Sequence, residues 1–184
     1  MNLEKIRSIT WEEIWEQWRK DEEGLWEDHY AEEGFSDWES WRGKQKIAAF
    51  LRKNKWNLFK IPDPLQTVPE FFVGPYKGWR KFYTDMRHSR FKDIVEHPTY
   101  IGSDSQDKAK AILDTFPNKT QLMGTRSGGE VVILEGTHRC CALAEAAKQG
   151  AVLKTSVTVA LADIPQDEWD KYHNMKKDLP INTD

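Results

Sequence analysis

Glu135, Gly136, Thr137, His138 and Arg139 put an acid, a flexible backbone position, a hydroxyl, a titratable ring and a forked cation into one short stretch. They stand between a continuously apolar run, Val131 to Leu134, and an alanine-rich stretch that reads as a helix from about His138 to Gln149. At such a strand-to-helix corner Gly136 permits a bend that a side chain would obstruct, and the following residues present unpaired N–H groups at the positive end of a helix. Phosphate is the usual guest of such an end. Thr137 adds a hydroxyl donor, Arg139 a planar fork for phosphate oxygens, His138 a donor or titrating group, and Glu135 a metal-bound carboxylate or a base. The same residues also suit a purely structural turn, with His138 filling space and Arg139 paired to Glu135 or Glu145.

Other chemistry is harder to find. His29, His88, His97, His138 and His173 lack metal-ligand spacing, and no P-loop, GxGxxG or GxSxG motif occurs. Cys140 and Cys141 are neighbours that would point about 100° apart on a helix, which makes a disulfide between them implausible and buried reduced thiols the expectation. From Tyr76 to Lys92 aromatic residues alternate with Lys77, Arg80, Lys81, Arg87, Arg90 and Lys92. Such interleaving either grips a nucleic acid or a phosphorylated ligand by charge and stacking or belongs to a helix with its aromatic side buried and its cations in water.

The elements that must position the corner follow from periodicity. Ser105 to Phe116 reads as a helix stopped by Pro117, and residues 121–126 and 130–136 flank Ser127-Gly128-Gly129 as a hairpin. Gly150 ends the helix after the corner, and a β-branched strand covers residues 154–164. Upstream, WNLFKI (56–61) reads as a strand and LQTVPEFFV (65–73) as an irregular extended piece. A last short helix and a tail follow Pro165.

Residues 1–55 differ in texture. Trp11, Ile14, Trp15 and Trp18 follow helical spacing behind a Thr10-x-x-Glu13 capping box, a second helix spans Leu25 to Glu33, and Ser36-x-x-Glu39 opens a third that carries Trp38, Trp41, Ile47 and Phe50. This spacing favours packing of the tryptophans over an aromatic binding cage. The predicted organisation is an acidic, Trp-rich helical segment at 1–55 that packs onto an α+β domain at 56–184. That segment is also the natural element for a protein partner or for self-association.

A chain of 184 residues with 31% charged residues and 9 Trp folds around one core. Net charge is -3, but residues 1–42 hold 13 acidic against 5 basic side chains, which argues against nucleic acid as a partner. The sequence shows neither a bilayer-length apolar run nor a signal-peptide pattern, so no membrane association and a cytoplasmic location are expected.

The segment LMGTRSGGEVVILEGTHRCCALAEAAKQG, with the helix before it and the strand after it, resembles the core of the ParB/sulfiredoxin superfamily, whose strand, turn, strand and helix meet at a D/E-G-x-H/R-R-type motif. The resemblance implies a small mixed β-sheet with helices over roughly residues 104–164. Sulfiredoxins carry a Cys before the His-Arg pair where this chain has Thr137, and chromosome-partition members need a DNA-reading domain that the 20 residues after Ile164 do not supply. Nuclease activity stays an alternative. The remaining branch resembles free-serine kinases. It implies a nucleotide-binding phosphotransferase or nucleotide hydrolase acting on a small molecule, with ATP, ADP or CTP and Mg2+ as cofactors. In it Gly136, Thr137, His138 and Arg139 hold phosphate, and Glu135 and His138 take catalytic roles. Glu70, Asp104 and Asp107 are positional candidates for the general base. The alternative is a non-catalytic nucleotide- or anion-sensing module whose helices recruit a protein.

Overall fold

Residues 1–74, 76–83 and 89–168 are described by a computed structural model, the side chains of Lys46 and Lys77 excepted. Arg87, His88, His173 and most of the expected C-terminal helix and tail lie outside the described residues. Mixed α and β elements build a six-stranded mixed sheet, and its strands are β1 (Glu4–Ile9), β2 (Trp56–Ile61), β3 (Phe72–Val73), β4 (Lys119–Ser127), β5 (Glu130–Glu135) and β6 (Ser156–Asp163). They lie in the order β1-β2-β6-β4-β5-β3. β6 runs parallel to β4 and antiparallel to β2, β4 and β5 form the hairpin, and β3 adds to β5 in parallel. The hairpin turn needs positive φ at two positions, and Gly128 (56°) and Gly129 (87°) supply it.

Both faces of the sheet are covered, and the alternation along the strands shows which side chain goes where. Phe59, Ile61, Leu122, Val131, Ile133, Val157, Val159 and Leu161 bury one face. On it lie α5 (Pro64–Thr67), α6 (Phe91–Ile94), α7 (Asp104–Asp114) and α8 (Thr137–Lys148), numbered after the four helices of residues 1–55 given next. Trp56, Met123, Val132, Leu134, Ala160 and Ala162 bury the other face, under α1 (Trp11–Glu22), α2 (Glu27–Glu32), α3 (Trp38–Gly43) and α4 (Lys46–Leu51). α8 is enclosed on every side: Cys140 to Ala146 are all buried, and their small side chains let the sheet, α6 and α7 approach closely.

The tryptophan-rich layer is present as expected and its rings pack. Ile14 and Trp18 are buried, Trp38 is fully buried, and Trp15 meets Trp38 and Trp18 with centroids 4.7 and 5.8 Å apart. The Thr10 capping box forms in both directions, Glu13 N–H to Thr10 Oγ1 at 3.2 Å and Thr10 N–H to a Glu13 carboxylate oxygen at 2.9 Å. Four expectations need correction. The third helix is capped by Asp37, which accepts from Ser40 N–H at 2.7 Å, and not by Ser36. It breaks after Gly43, so what reads as one helix is α3 and α4. Residues 4–9, expected to lie in a helical segment, form β1, which pairs with β2 through a register shift between Lys5 and Arg7. Residues 65–73 are likewise not an extended piece: Asp63 caps α5, residues 68–70 make a 3₁₀ turn, and only Phe72 and Val73 join the sheet.

Trp38→Ala is expected to remove about 3–5 kcal/mol of stability, read as a lower urea midpoint with an unchanged slope, because the ring is fully enclosed between α1 and the sheet.

Candidate functional site

β5 ends at Glu135 and α8 begins at Thr137, so the acid, the glycine and the His-Arg pair lie on the expected strand, corner and helix. Gly136 is the N-cap residue at φ 92°, ψ 21°, a left-handed conformation that side-chain-bearing residues rarely adopt. A Cβ there would stand 2.6 Å from Leu122 Cδ2 and 3.4 Å from both Nε and Nη2 of Arg139. The glycine therefore does two things: it turns the chain and it lets the guanidinium lie against the corner. α1, α3, α5 and α7 begin on a side chain that accepts from their first turn, whereas α2, α4, α6 and α8 begin without one. The first intrahelical bond closes from Cys140 N–H to Gly136 O at 2.9 Å.

Arg139 and Glu135 are held together. Nη2 of Arg139 donates to both oxygens of Glu135, at 2.6 and 2.5 Å, and to Asp21 Oδ2 at 3.0 Å, while Nη1 donates to Thr120 Oγ1 at 2.7 Å. Asp21 sits at the end of α1, and Thr120 is the second residue of β4, so one guanidinium joins β4, β5, α8 and the N-terminal layer. The side chains of Arg139, Asp21 and Glu135 keep 19%, 21% and 12% of their exposure. Of the two pairings open to Arg139, Glu135 is the one that forms; Glu145 instead accepts from Gln106 Nε2 of α7 at 3.0 Å inside the core. Burial raises the Glu135 carboxyl to about 7; the Arg139 charge opposes this and the negative charges of Asp21 and Glu22 add to it. With both oxygens given to Arg139, Glu135 does not fit the metal-ligand role expected of it. Among the described residues no group of three or more His, Cys, Asp or Glu is placed to hold a metal ion.

His138 faces the opposite way. Its ring packs at a tilt of 59° against Trp79, centroids 5.0 Å apart, and Trp79 lies in a 3₁₀ segment, Lys77–Phe82, from the basic-aromatic stretch. That segment is pinned beside the corner by two hydroxyls: Tyr76 donates to the Leu134 carbonyl, one residue before Glu135, and Tyr83 donates to the Gly74 carbonyl at 2.7 Å. Sequence separation hid this proximity of the two chemically suggestive stretches. Trp79 is buried and so packs on His138 and on Phe82, at 5.6 Å, rather than presenting a free stacking surface, while Arg80 and Lys81 are exposed. Burial, aided by the Lys108 charge from α7, lowers His138 to about 4 from an ordinary 6.5, so the imidazole is neutral at physiological pH.

The remaining candidates lie elsewhere. Thr137 is buried at the start of α8. Glu70 pairs with Arg90 and Lys92, at 3.2 and 2.8 Å. Asp104 and Asp107 are in the first turn of α7, behind its Ser103 cap. Cys140 and Cys141 are free, fully buried thiols, and burial raises both out of the range of a reactive thiolate. The residues sequence reasoning missed are Asp21 and Thr120. Neither belongs to a motif, and Asp21 is 118 positions from Arg139.

No family model, no curated protein and no solved structure matches the chain.

Two variants test this geometry. Arg139→Ala strands two carboxylates in a largely buried setting and is expected to cost roughly 3–5 kcal/mol in chemical denaturation, with Arg139→Lys costing less; the reason is the contacts to Glu135 and Asp21. For His138 the folded value lies below the unfolded one, so its contribution to stability is full above about 6.5 and is lost as pH falls toward about 4. An NMR titration should place the imidazole midpoint near 4, and His138→Phe should flatten the acid limb of the stability profile.

Proposed function

We propose that this protein is a nucleotide- or phosphate-sensing module of ParB/sulfiredoxin type, which binds the phosphate of a small molecule at the first turn of α8. The observation that carries the reading is the conjunction at that turn. A helix start without a side-chain acceptor stands on a left-handed Gly136, and the partly exposed Arg139 guanidinium lies against the same glycine. Unpaired N–H groups, the positive helix end and a cation make a place for an anion. The exposed cations of Arg80 and Lys81, on the segment packed against His138, add to the positive potential on that side. A binding role is favoured over turnover because Glu135, the acid nearest the corner, is committed to Arg139 and not to a reacting group.

Phosphotransfer or nucleotide hydrolysis is the second reading, and one observation favours it: His138, beside the helix start, is neutral at physiological pH and so keeps one ring nitrogen as a hydrogen-bond acceptor. In that case His138 orients the attacking hydroxyl or water, ATP, ADP or CTP is the phosphate source, and Mg2+ arrives bound to the nucleotide. No helix among the described residues is long and apolar enough to cross a membrane.

Calorimetric titration of the full chain with ATP, ADP, CTP and inorganic phosphate, with and without Mg2+, is expected to show binding without product. In parallel NMR titrations the shifted amides should be those of Thr137, His138 and Arg139. Product formation would move the protein to the second reading, and absence of binding by every anion would make the corner a structural turn.

A further inference from the structure

An open cleft of about 580 Å³ lies where β1, the start of α1 and the turn from α4 into β2 come together. That volume is in the range of small-molecule sites. Three cations line it from separate parts of the chain: Lys5 of β1, Arg52 at the end of α4 and Lys55 just before β2. All three are exposed, and among the described residues their side chains have no ion-pair or hydrogen-bond partner. Arg7, on the same strand as Lys5, is by contrast taken by Glu13 at 2.6 Å. Glu12 is the one carboxylate of the lining, so three cations less one acid leave the cleft a net charge of +2. Like charges gathered round one concavity repel one another and attract an anion into it.

We propose that this cleft binds a small phosphate monoester carried on an aromatic ring. Charge sets the first half of that class. A phosphate monoester bears about -1.5 to -2 at neutral pH, which balances the lining, whereas a phosphodiester bears a single charge. The planar fork of Arg52 suits phosphate oxygens, and Asn57, whose side-chain oxygen accepts from Ser8 Oγ at 3.3 Å, keeps its NH2 group as a further donor. Trp11 sets the second half. Its half-buried ring lines the cleft and is backed by Trp56 with centroids 6.0 Å apart, a flat apolar wall beside the cations. The surroundings keep the ligand small. A nucleic-acid strand leaving the cleft along α1 would meet Glu12, Glu13 and Glu16 in a segment where 13 acids face 5 basic residues over positions 1–42. The cleft is also distinct from the corner at α8, because Asp21, which meets Arg139, stands ten residues further along α1, about 15 Å away by helix rise.

The full chain is titrated calorimetrically with AMP, adenosine, inorganic phosphate and succinate, and amide shifts are followed by NMR. AMP joins ring to dianion, adenosine has the ring alone, phosphate the charge alone, and succinate two carboxylates without a ring. AMP is expected to bind most tightly and to shift amides of residues 5–12 and 52–57. Arg52→Gln and Lys55→Gln should each weaken AMP about tenfold. Lys53→Gln removes the same charge from the same turn but does not line the cleft, and it should bind like wild type. All three side chains are exposed, so the variants keep the fold. An equal loss in Lys53→Gln overturns the proposal as a bulk charge effect. Phosphate or succinate binding as tightly as AMP overturns the ring-bearing class. AMP shifts confined to Thr137, His138 and Arg139 overturn the cleft while leaving the corner site standing, and absence of AMP binding overturns the proposal outright.

Discussion

The guanidinium of Arg139 is the interaction on which the arrangement depends, because it reconciles two charges that each stand at the wrong pole of a helix. Arg139 is a cation in the first turn of α8, where partial positive charge gathers, and Asp21 is an anion in the last turn of α1, where partial negative charge gathers. Separately both placements are unfavourable. Together, with Glu135 between them, they neutralise one another at the end of the sheet and hold the helices of one face in register with the helix of the other. Removing one partner is therefore costlier than the exposure of the cluster suggests, since what remains is a largely buried charge without compensation.

That clamp acts on a sheet already buried on both sides. Each central strand sends alternate residues into two cores: Leu122 and Ile133 under α8, Met123 and Val132 under the tryptophans. Most of the stability comes from this burial, and the polar contacts decide position rather than cohesion. The same division explains α8. An alanine-rich helix with buried residues all round has no polar face to orient it by solvent, so its start is fixed by specific devices: a left-handed Gly136, Leu122 packed where a Cβ would be, and the Arg139 contacts.

Much of the fold was legible locally. The hairpin glycines, the Thr10 capping box, β2, the α8 stop at Gly150 and the corner itself each have a signal within a few residues, and each appears where that signal lies. β1 carried no such signal. EKIRSI has nearly every side chain exposed, so the strand is made by pairing with β2 and not by burying a face. The Asp37 cap sat one residue from an equally plausible Ser36, and a choice between two good acceptors is decided by the path of the chain. At the site, Gly136 and the Glu135–Arg139 pairing could be read from spacing, whereas Asp21 and Trp79 could not. Their roles arise from tertiary proximity over 118 and 59 positions, which no local pattern encodes.

The position of Asp21 also bears on what the N-terminal segment is for. As a mere cover, α1 to α4 would need only an apolar face, and the tryptophans supply that without any charge at the corner. A carboxylate held against the guanidinium that lies on Gly136 ties this layer to the corner, because the pair keeps only about a fifth of its exposure and the loss of either partner leaves a largely buried charge without compensation. What it adds is position. Packing of the tryptophans leaves the end of α1 free to slide over the sheet, and the Asp21–Arg139 contact fixes it against the start of α8. An apolar contact there would add buried area without direction, whereas the guanidinium holds Asp21, Glu135 and Thr120 to defined donors and so sets one arrangement of the two layers.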